Sequence, residues 1–362
     1  MIVDSLSRAA ELTLLAVGVT LVYGMLRFAN FAHIEFATVG AYLALFLSVS
    51  LGIFLPLAAV IAIVTVGLLG VLTDQLIFKR LRKAEPIMLM IASFALGIVL
   101  RETMRAIYGP SAYFYDIGIP RPWTLARDVG LSASFVYAVV AIAVLAALYA
   151  TRHRPLGSRI FWIAAPAVVG IVTIWSLAGT LSPTAFIEFG GIRITPTQTI
   201  VIVASVLAMI AFHFMLSRTK LGVAMRATAE NVPLAQASGI HSDNIIRLVW
   251  LIGTGFAALG GILVGLNTQI NADMGVGLII EVFAAAILGG IGNPYGAMLG
   301  ALIIGFAENI SLFINWGPLL QALGFDAANF LFIPTSYKSA ISFVILIAAL
   351  LIRPQGILGA RR

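Results

Sequence analysis

Charge is what this chain lacks most. Only 10% of its 362 residues are Asp, Glu, Lys or Arg, against 61% hydrophobic, whereas a soluble domain carries about a quarter charged residues. At a mean hydropathy of +1.06, so much apolar surface cannot be hidden inside a water-soluble sphere of this size. The solvent for this fold is lipid. Cysteine is absent, which excludes a disulfide framework, a thiolate metal site and a cysteine nucleophile. The four histidines, His33, His153, His213 and His241, are scattered and match no zinc spacing, so neither a metal site nor a catalytic constellation is expected. Nucleophile-elbow, HExxH and paired-acid motifs are also missing, which leaves an intramembrane enzyme without support. The net charge of +7 reads as the basic bias of cytoplasmic membrane loops, not as nucleic-acid binding.

What the chain does have is long apolar runs. A helix needs about 20 apolar residues to cross the hydrocarbon core. Candidate runs fall near 12–26, 36–51, 53–77, 86–107, 132–151, 160–181, 198–217, 247–267, 278–291, 295–314 and 337–352. Runs 12–26 and 278–291 are short for a full crossing and read as broken or re-entrant elements, which need protein or a water-lined cavity around their backbone. Residues 1–11 carry Asp4, Arg8 and Glu11 instead of a basic cluster, and no small-x-small site closes 12–26. That run therefore reads as a membrane segment and not as a cleaved signal. The expectation is an all-α polytopic transmembrane bundle of about 8–11 segments, forming one domain over residues 1–362.

Loop charge sets the orientation. Lys79, Arg80, Arg82, Lys83, Arg152, Arg154, Arg159, Arg218, Lys220, Arg226, Arg247, Arg353, Arg361 and Arg362 fall on one side if every intervening run spans. That side is assigned to the cytoplasm, with the C-terminus on it and loops 108–131, 182–197 and 315–336 facing outward. The side of the N-terminus depends on whether 27–36 is a loop or an intramembrane break. Gly261 with Gly265, and Gly296 with Gly300, have the small-xxx-small spacing that lets helix backbones approach closely.

Three polar segments stand out. In the stretch 218–246, Asn231 suits an N-cap, Pro233 a first helical turn and Gly239 a C′ stop. This predicts a short helix of about two turns with Leu234, Ala235 and Ala237 as a contact surface; spacing alone leaves a plain loop equally open. NFAHIEF puts Asn30, His33 and Glu35 beside an apolar helix, where they either line a translocation path or hold a polar turn at the membrane surface. GGIGNPYG at 289–296 has Gly289, Gly290 and Asn293 in a glycine-rich setting but lacks the GK[ST] that holds phosphates. It reads as a tight turn between intramembrane helices, so no ATP is expected to bind this chain. Asp74, Arg101, Glu102, Glu281 and Glu308 form either a proton relay or helix-end and interhelix pairs.

Taken in order, VYGMLRFANFAHIEFATVGAY (22–42), RATAENVPLAQASGI (226–240), AAAILGGIGNPYGAMLGALIIGFAE (284–308) and YKSAISFVILIAALLIRPQGILG (337–359) resemble the branched-chain amino-acid ABC permeases over residues 12–107 and 197–360. The resemblance implies that 218–246 is a cytoplasmic coupling loop. Within it Arg226, Ala227, Glu230, Asn231, Leu234, Gly239 and Ile240 would form a coupling helix seated in a cleft of an ATP-hydrolysing subunit. It further implies two ATP-binding cassette subunits carrying ATP and Mg, a homologous second permease or a second copy of this chain, and a periplasmic substrate-binding protein, all at a bacterial inner membrane. The chain itself would bind no cofactor. Asn30, His33, Glu35, Gly289, Gly290 and Asn293 become candidates for the translocation path. Two departures from the family pattern are an inserted region at 110–196 with two additional apolar runs, and Ile34 where Gly is usual. Substrates implied are branched-chain or related amino acids, with urea or short amides as the alternative. An ion-coupled secondary transporter would instead require inverted internal halves, and no such repeat is visible.

Overall fold

The computed structural model describes residues 2–82, 84–116, 123–124, 193–315, 332–353 and 355–359. The runs 132–151 and 160–181, and the basic residues Lys83, Arg152, Arg154, Arg159, Arg361 and Arg362, lie outside the described residues. The chain divides into two compact units, residues 1–117 with 200–362, and residues 118–199. In the smaller unit, Trp123–Thr124 (β1) and Arg193–Ile194 (β2) pair antiparallel. Thr195 Oγ1 then accepts from Gln198 N at 3.2 Å while Gln198 Oε1 accepts from Thr195 N at 3.1 Å, a reciprocal cap that starts the next helix.

The larger unit is helical. Its elements are α1 (Ile2–Leu26), α2 (Ala32–Ser50), α3 (Leu55–Leu81), α4 (Pro86–Tyr108), α5 (Pro196–Arg218, from Ile200 onward in this unit), α6 (Lys220–Glu230), α7 (Val232–Ala237), α8 (Ser242–Asn267), α9 (Met274–Gly289), α10 (Pro294–Phe313) and α11 (Lys338–Ile352). Among the described residues seven helices are long and apolar enough to cross a membrane, and α9 and α11 are shorter apolar helices. This is an all-α multi-pass membrane bundle.

Burial sorts the helices. The most apolar windows of α1, α2 and α8 are 78%, 78% and 72% buried, whereas those of α3, α4 and α5 are 28%, 17% and 33% buried. The first three form the centre. The others turn Leu57, Val64, Ile91, Phe94 and Leu207 outward, which lipid tolerates and water does not. Small residues let the central helices touch. A Cβ on Gly40 would lie 2.6 Å from Ala258 Cα, and one on Gly261 would strike the Ala37 backbone. At the α9–α10 crossing, Gly289 and Gly296 meet backbone to backbone, and Gly300 meets Ala285. Both glycine pairs singled out by spacing therefore lie in close packing; only Gly265 meets side chains instead, Ile270 and Tyr115.

The helix ends lie on two faces. Arg27 reaches Ala229, Arg82 and Lys79 reach Asp243, and Asn293 reaches Leu358. These contacts gather the α1–α2, α3–α4, α5–α8 and α9–α10 connections on one face. Tyr113 bridges Ile270 and Arg105 reaches Asp273 on the other, as does Ser7 with Asn267. The start of α1 thus lies on the face opposite the 218–242 segment.

The first helix corrects the sequence boundary. It begins at Ile2, ten residues before the apolar run. The window missed that turn because it carries charge, yet the charge is internal. Arg8 contacts Glu11 at 3.2 Å, Glu308 at 3.5 Å and Glu281 more closely still. The three carboxylates are at most 2% exposed. Asn267 Nδ2 donates to Glu11 at 2.8 Å, Ser339 Oγ to Glu281 at 3.1 Å, and Ser342 Oγ to Glu308. One guanidinium thereby joins α1, α8, α9, α10 and α11. The same holds for Asp74, buried in a π-helical turn of α3 and paired with Arg82 at 2.7 Å. Of the two roles open to these acids, interhelix and helix-end pairing is the one the contacts display, and Glu102 follows with Arg105 at 3.0 Å.

Two stability predictions follow from these contacts. Gly261→Ala should lower the melting temperature of the purified protein, since overpacking against backbone costs about 1–3 kcal/mol. Gly277→Ala, with nothing within 4 Å of the added Cβ, should leave it unchanged or raise it; equal behaviour of the two would contradict the packing. Arg8→Met strands three buried carboxylates and should cost about 3–5 kcal/mol, read as lost thermal stability in detergent.

Candidate functional site

The polar stretch after α5 folds as two consecutive helices, where spacing had predicted only the second. Thr219 caps α6, its Oγ1 accepting from Gly222 N at 3.2 Å. The helix stops at Asn231, which takes an extended backbone at φ −153° and ψ 104° and caps the next helix by accepting from Leu234 N at 3.0 Å. Pro233 fits the first turn of α7, where a backbone N–H is not needed. At the far end Gly239 N donates to Gln236 O at 2.9 Å and Ile240 N to Ala235 O at 3.0 Å, with Gly239 at φ +83°. This pair of bonds is a Schellman closure, and glycine meets its left-handed requirement without strain. The predicted caps, Asn231 and Gly239, are where the spacing put them.

The short helix is fixed at one point and otherwise bare. Ala235 is 3% exposed and packs inward, whereas Leu234 is 65% exposed, and Pro233, Gln236, Ala237, Ser238 and Gly239 are also exposed. Glu230 and Asn231 are exposed beside them, and Ala227 and Ile240 are half-buried. Arg226 is used differently from the other residues of this set. Its guanidinium donates to the Leu216 carbonyl at the end of α5, so it holds α6 against the helix before it. Around this element Lys79 and Arg82 bond Asp243 at 2.8 and 2.9 Å, fixing the start of α8 to the end of α3. Residue reasoning missed Arg27, whose Nη2 donates to Ala229 O at 2.9 Å.

The second set of candidates lies apart from the exposed helix. Asn30, His33 and Glu35 are 1%, 0% and 3% exposed. They occupy the break between α1 and α2 and the first turn of α2. Phe31 N donates to Ser93 Oγ at 3.1 Å there, so α4 supplies a partner for a backbone group freed by the break. His33 is wedged against Gly18, which leaves no room for a Cβ beside the imidazole, and Gly253 adjoins the other side of the ring, its Cβ position 3.5 Å from His33 Cε1. Glu35 and Thr38 both press on Gly275 at the start of α9, 2.6 and 2.7 Å from where its Cβ would be. His33 and Glu35 thus lie at close contacts of α2 with neighbouring helices.

Gly289, Gly290 and Asn293 form the turn between α9 and α10. Gly290 and Gly292 take φ of +110° and +91°. Asn293 caps α10 by accepting from Tyr295 N and Gly296 N at 3.1 and 3.3 Å. The segment after α11 clasps this turn: Ile357 N donates to Leu288 O at 2.8 Å, Leu358 N to Gly289 O at 3.0 Å, and Asn293 Nδ2 to Leu358 O at 2.9 Å. An open cleft of about 490 Å³, lined by Arg8, Thr268, Gln269, Asn271, Met274 and Leu278 among others, lies on the opposite face and includes none of these candidates. Among the described residues, no three His, Asp or Glu side chains are grouped as a metal site needs.

Sequence comparison adds what geometry cannot. A family model described as "Branched-chain amino acid transport system / permease component" matches residues 1–165 and 161–350. The permease protein BraD of the high-affinity branched-chain amino acid transport system of Pseudomonas aeruginosa is 30% identical, covering 99% of this chain and 94% of its own length. LivH of Escherichia coli K12, from a system of the same description, is 27% identical over 96% of this chain and 90% of its own. A protein of Methanocaldococcus jannaschii described as "Probable branched-chain amino acid transport permease protein LivH" is 30% identical over 96% of this chain and 88% of its own. No solved structure matches. A bundle of apolar helices with a capped, exposed helix on its basic face, matched along nearly its whole length, belongs to the family of branched-chain amino acid transport system permease components.

Proposed function

We propose that this chain is the membrane-spanning subunit of a binding-protein-dependent ABC importer that carries branched-chain or related amino acids into the cytoplasm. The observation that carries the reading is α7: a two-turn helix capped at both ends, offering Leu234 at 65% exposure on the face that also carries Lys79, Arg80, Arg82, Arg218, Lys220 and Arg353. Exposed leucine on a helix too short to be stable alone calls for a partner surface. A basic face is the cytoplasmic one. The partner is therefore a cytoplasmic ATP-binding cassette subunit, and α7 is the helix that docks in its cleft.

The mechanism needs no covalent step from this chain. Two ATP-binding subunits, holding ATP and Mg, close on each other and displace α7. The chain and its partner permease, a homologue or a second copy, then switch the pore between inward-facing and outward-facing states. A periplasmic binding protein delivers the solute, and hydrolysis resets the cycle. Nucleotide can bias this equilibrium only through contacts that differ between the two states, and α7 is the exposed element able to make them. The chain sits in the bacterial inner membrane with its C-terminus in the cytoplasm. The amino-acid reading follows the names of the relatives.

Reconstitution of the complete complex with radiolabelled leucine tests this reading. Gly239→Val places a β-branched residue at φ +83° and removes the Schellman closure. It should leave membrane insertion and ATP hydrolysis in place while cutting leucine uptake per ATP by at least about tenfold, a loss within the usual range of coupling free energies. Leu234→Asp should weaken co-purification of the ATP-binding subunits. Normal uptake by the first variant together with normal assembly by the second would overturn the docking role.

A further inference from the structure

We propose that Arg27 is a positioning residue that ties the docking helix to the break between α1 and α2, so that displacement of one moves the other; this rests on the importer reading above. Among the described residues Arg27 is the one non-glycine residue with positive φ, at +57°. It stands at the C′ position of α1, where its N–H donates to Tyr23 O at 2.8 Å. That closure is ordinarily made by glycine, because a Cβ is strained in the left-handed region. A glycine would turn the chain equally well. What an arginine adds is the guanidinium, and the guanidinium has a specific use.

Its Nη2 donates to the Ala229 carbonyl at 2.9 Å. Ala229 lies in the last turn of α6, where carbonyls lack an intrahelical donor. The residue four positions on is Pro233, which has no N–H to give. The proline that starts the docking helix thus leaves an acceptor open, and Arg27 fills it from another helix. One end of this link is two residues from Asn231, the cap of α7. The other end is anchored inside the bundle. Phe28, the next residue, is 2% exposed and stacks on Phe78 at 5.4 Å, which stacks on Trp250 at 5.0 Å. Phe78 belongs to the π-helical turn of α3, a kind of irregularity often found at functional sites. Asp74 in the same turn is paired with Arg82, which also holds Asp243 at the start of α8.

The arrangement is a hinge between an exposed element and a packed one. Movement of α7 carries Ala229 with it and pulls on a backbone position already held in a sparsely populated conformation. The segment that gives way is 27–31, directly before the buried Asn30, His33 and Glu35. Strained residues held by their surroundings cluster at active sites, ligand clamps and switch regions. A residue that only shapes the turn would be improved by glycine; one that transmits force would be lost.

That difference is the test. The chain has no cysteine, so Gln269→Cys reports the cleft on the opposite face through its rate of maleimide labelling, with and without ATP, in the complete complex. In this background Arg27→Gly should reduce the ATP-dependent change in labelling rate by at least about fivefold, while the complex assembles and melts no lower than its parent. Arg27→Lys, which keeps a cationic donor, should retain most of the response. Gly239→Val serves as the control for the docking reading. A full response in Arg27→Gly with a lost response in Gly239→Val overturns the role of Arg27 and leaves docking intact; a full response in both overturns both. A complex that falls apart in Arg27→Gly, or a parent that shows no ATP-dependent labelling, also counts against the link.

Discussion

A polar group inside a bilayer must find its partner within the protein, because no water is there to supply one. That constraint is visible where helices of this structure are joined by polar contacts, since lipid is as apolar as leucine and offers helices no hydrophobic reason to associate. The first helix displays it near its start. There Arg8 gathers Glu11, Glu281 and Glu308, and with them helices α8 to α11. At its end Arg27 reaches the carbonyl that Pro233 leaves open. Between these points contact comes from small residues: Gly18 and Gly253 around His33, Gly40 on Ala258, Gly305 on Ala9.

The same constraint divides labour between the two faces. Around Arg8 the polar contacts are interhelical and buried, while at the rim of the same face Arg105 pairs with Glu102 and Asp273 in exposed contacts. On the basic face they sit at helix ends and connections: Arg226 on Leu216, Arg82 on Asp74 and Asp243, the C-terminal segment on the Gly289–Asn293 turn. Connections held by a few specific bonds can shift as units, and the exposed α7 is where an external force would enter.

How much of this was legible in the sequence depended on whether the signal was local. The two-turn helix α7 was, because Asn231, Pro233 and Gly239 act through their own backbone geometry and need no knowledge of distant neighbours. The glycine pairs were as well. The start of α1 was not: a hydropathy window counts Arg8 and Glu11 against a span, and only their partners on α9 and α10 make them compatible with one. The i,i+3 spacing of Arg8 and Glu11 was the available clue. Arg27 was out of reach, since a left-handed arginine looks in sequence like one more helical residue. Asn30, His33 and Glu35 were recognised as unusual, but what lies opposite a buried polar side chain is not a local signal, and the two glycines beside His33 come from other helices.

The central claim is that a helix on the basic face meets a cytoplasmic motor, and its sidedness can be measured directly. A single cysteine at Gln236, which is exposed on α7, would be treated with a membrane-impermeant maleimide in right-side-out spheroplasts and in inverted vesicles. The account predicts labelling in inverted vesicles alone, and protection there when the ATP-binding subunits are present. Labelling from the outside of spheroplasts would contradict it.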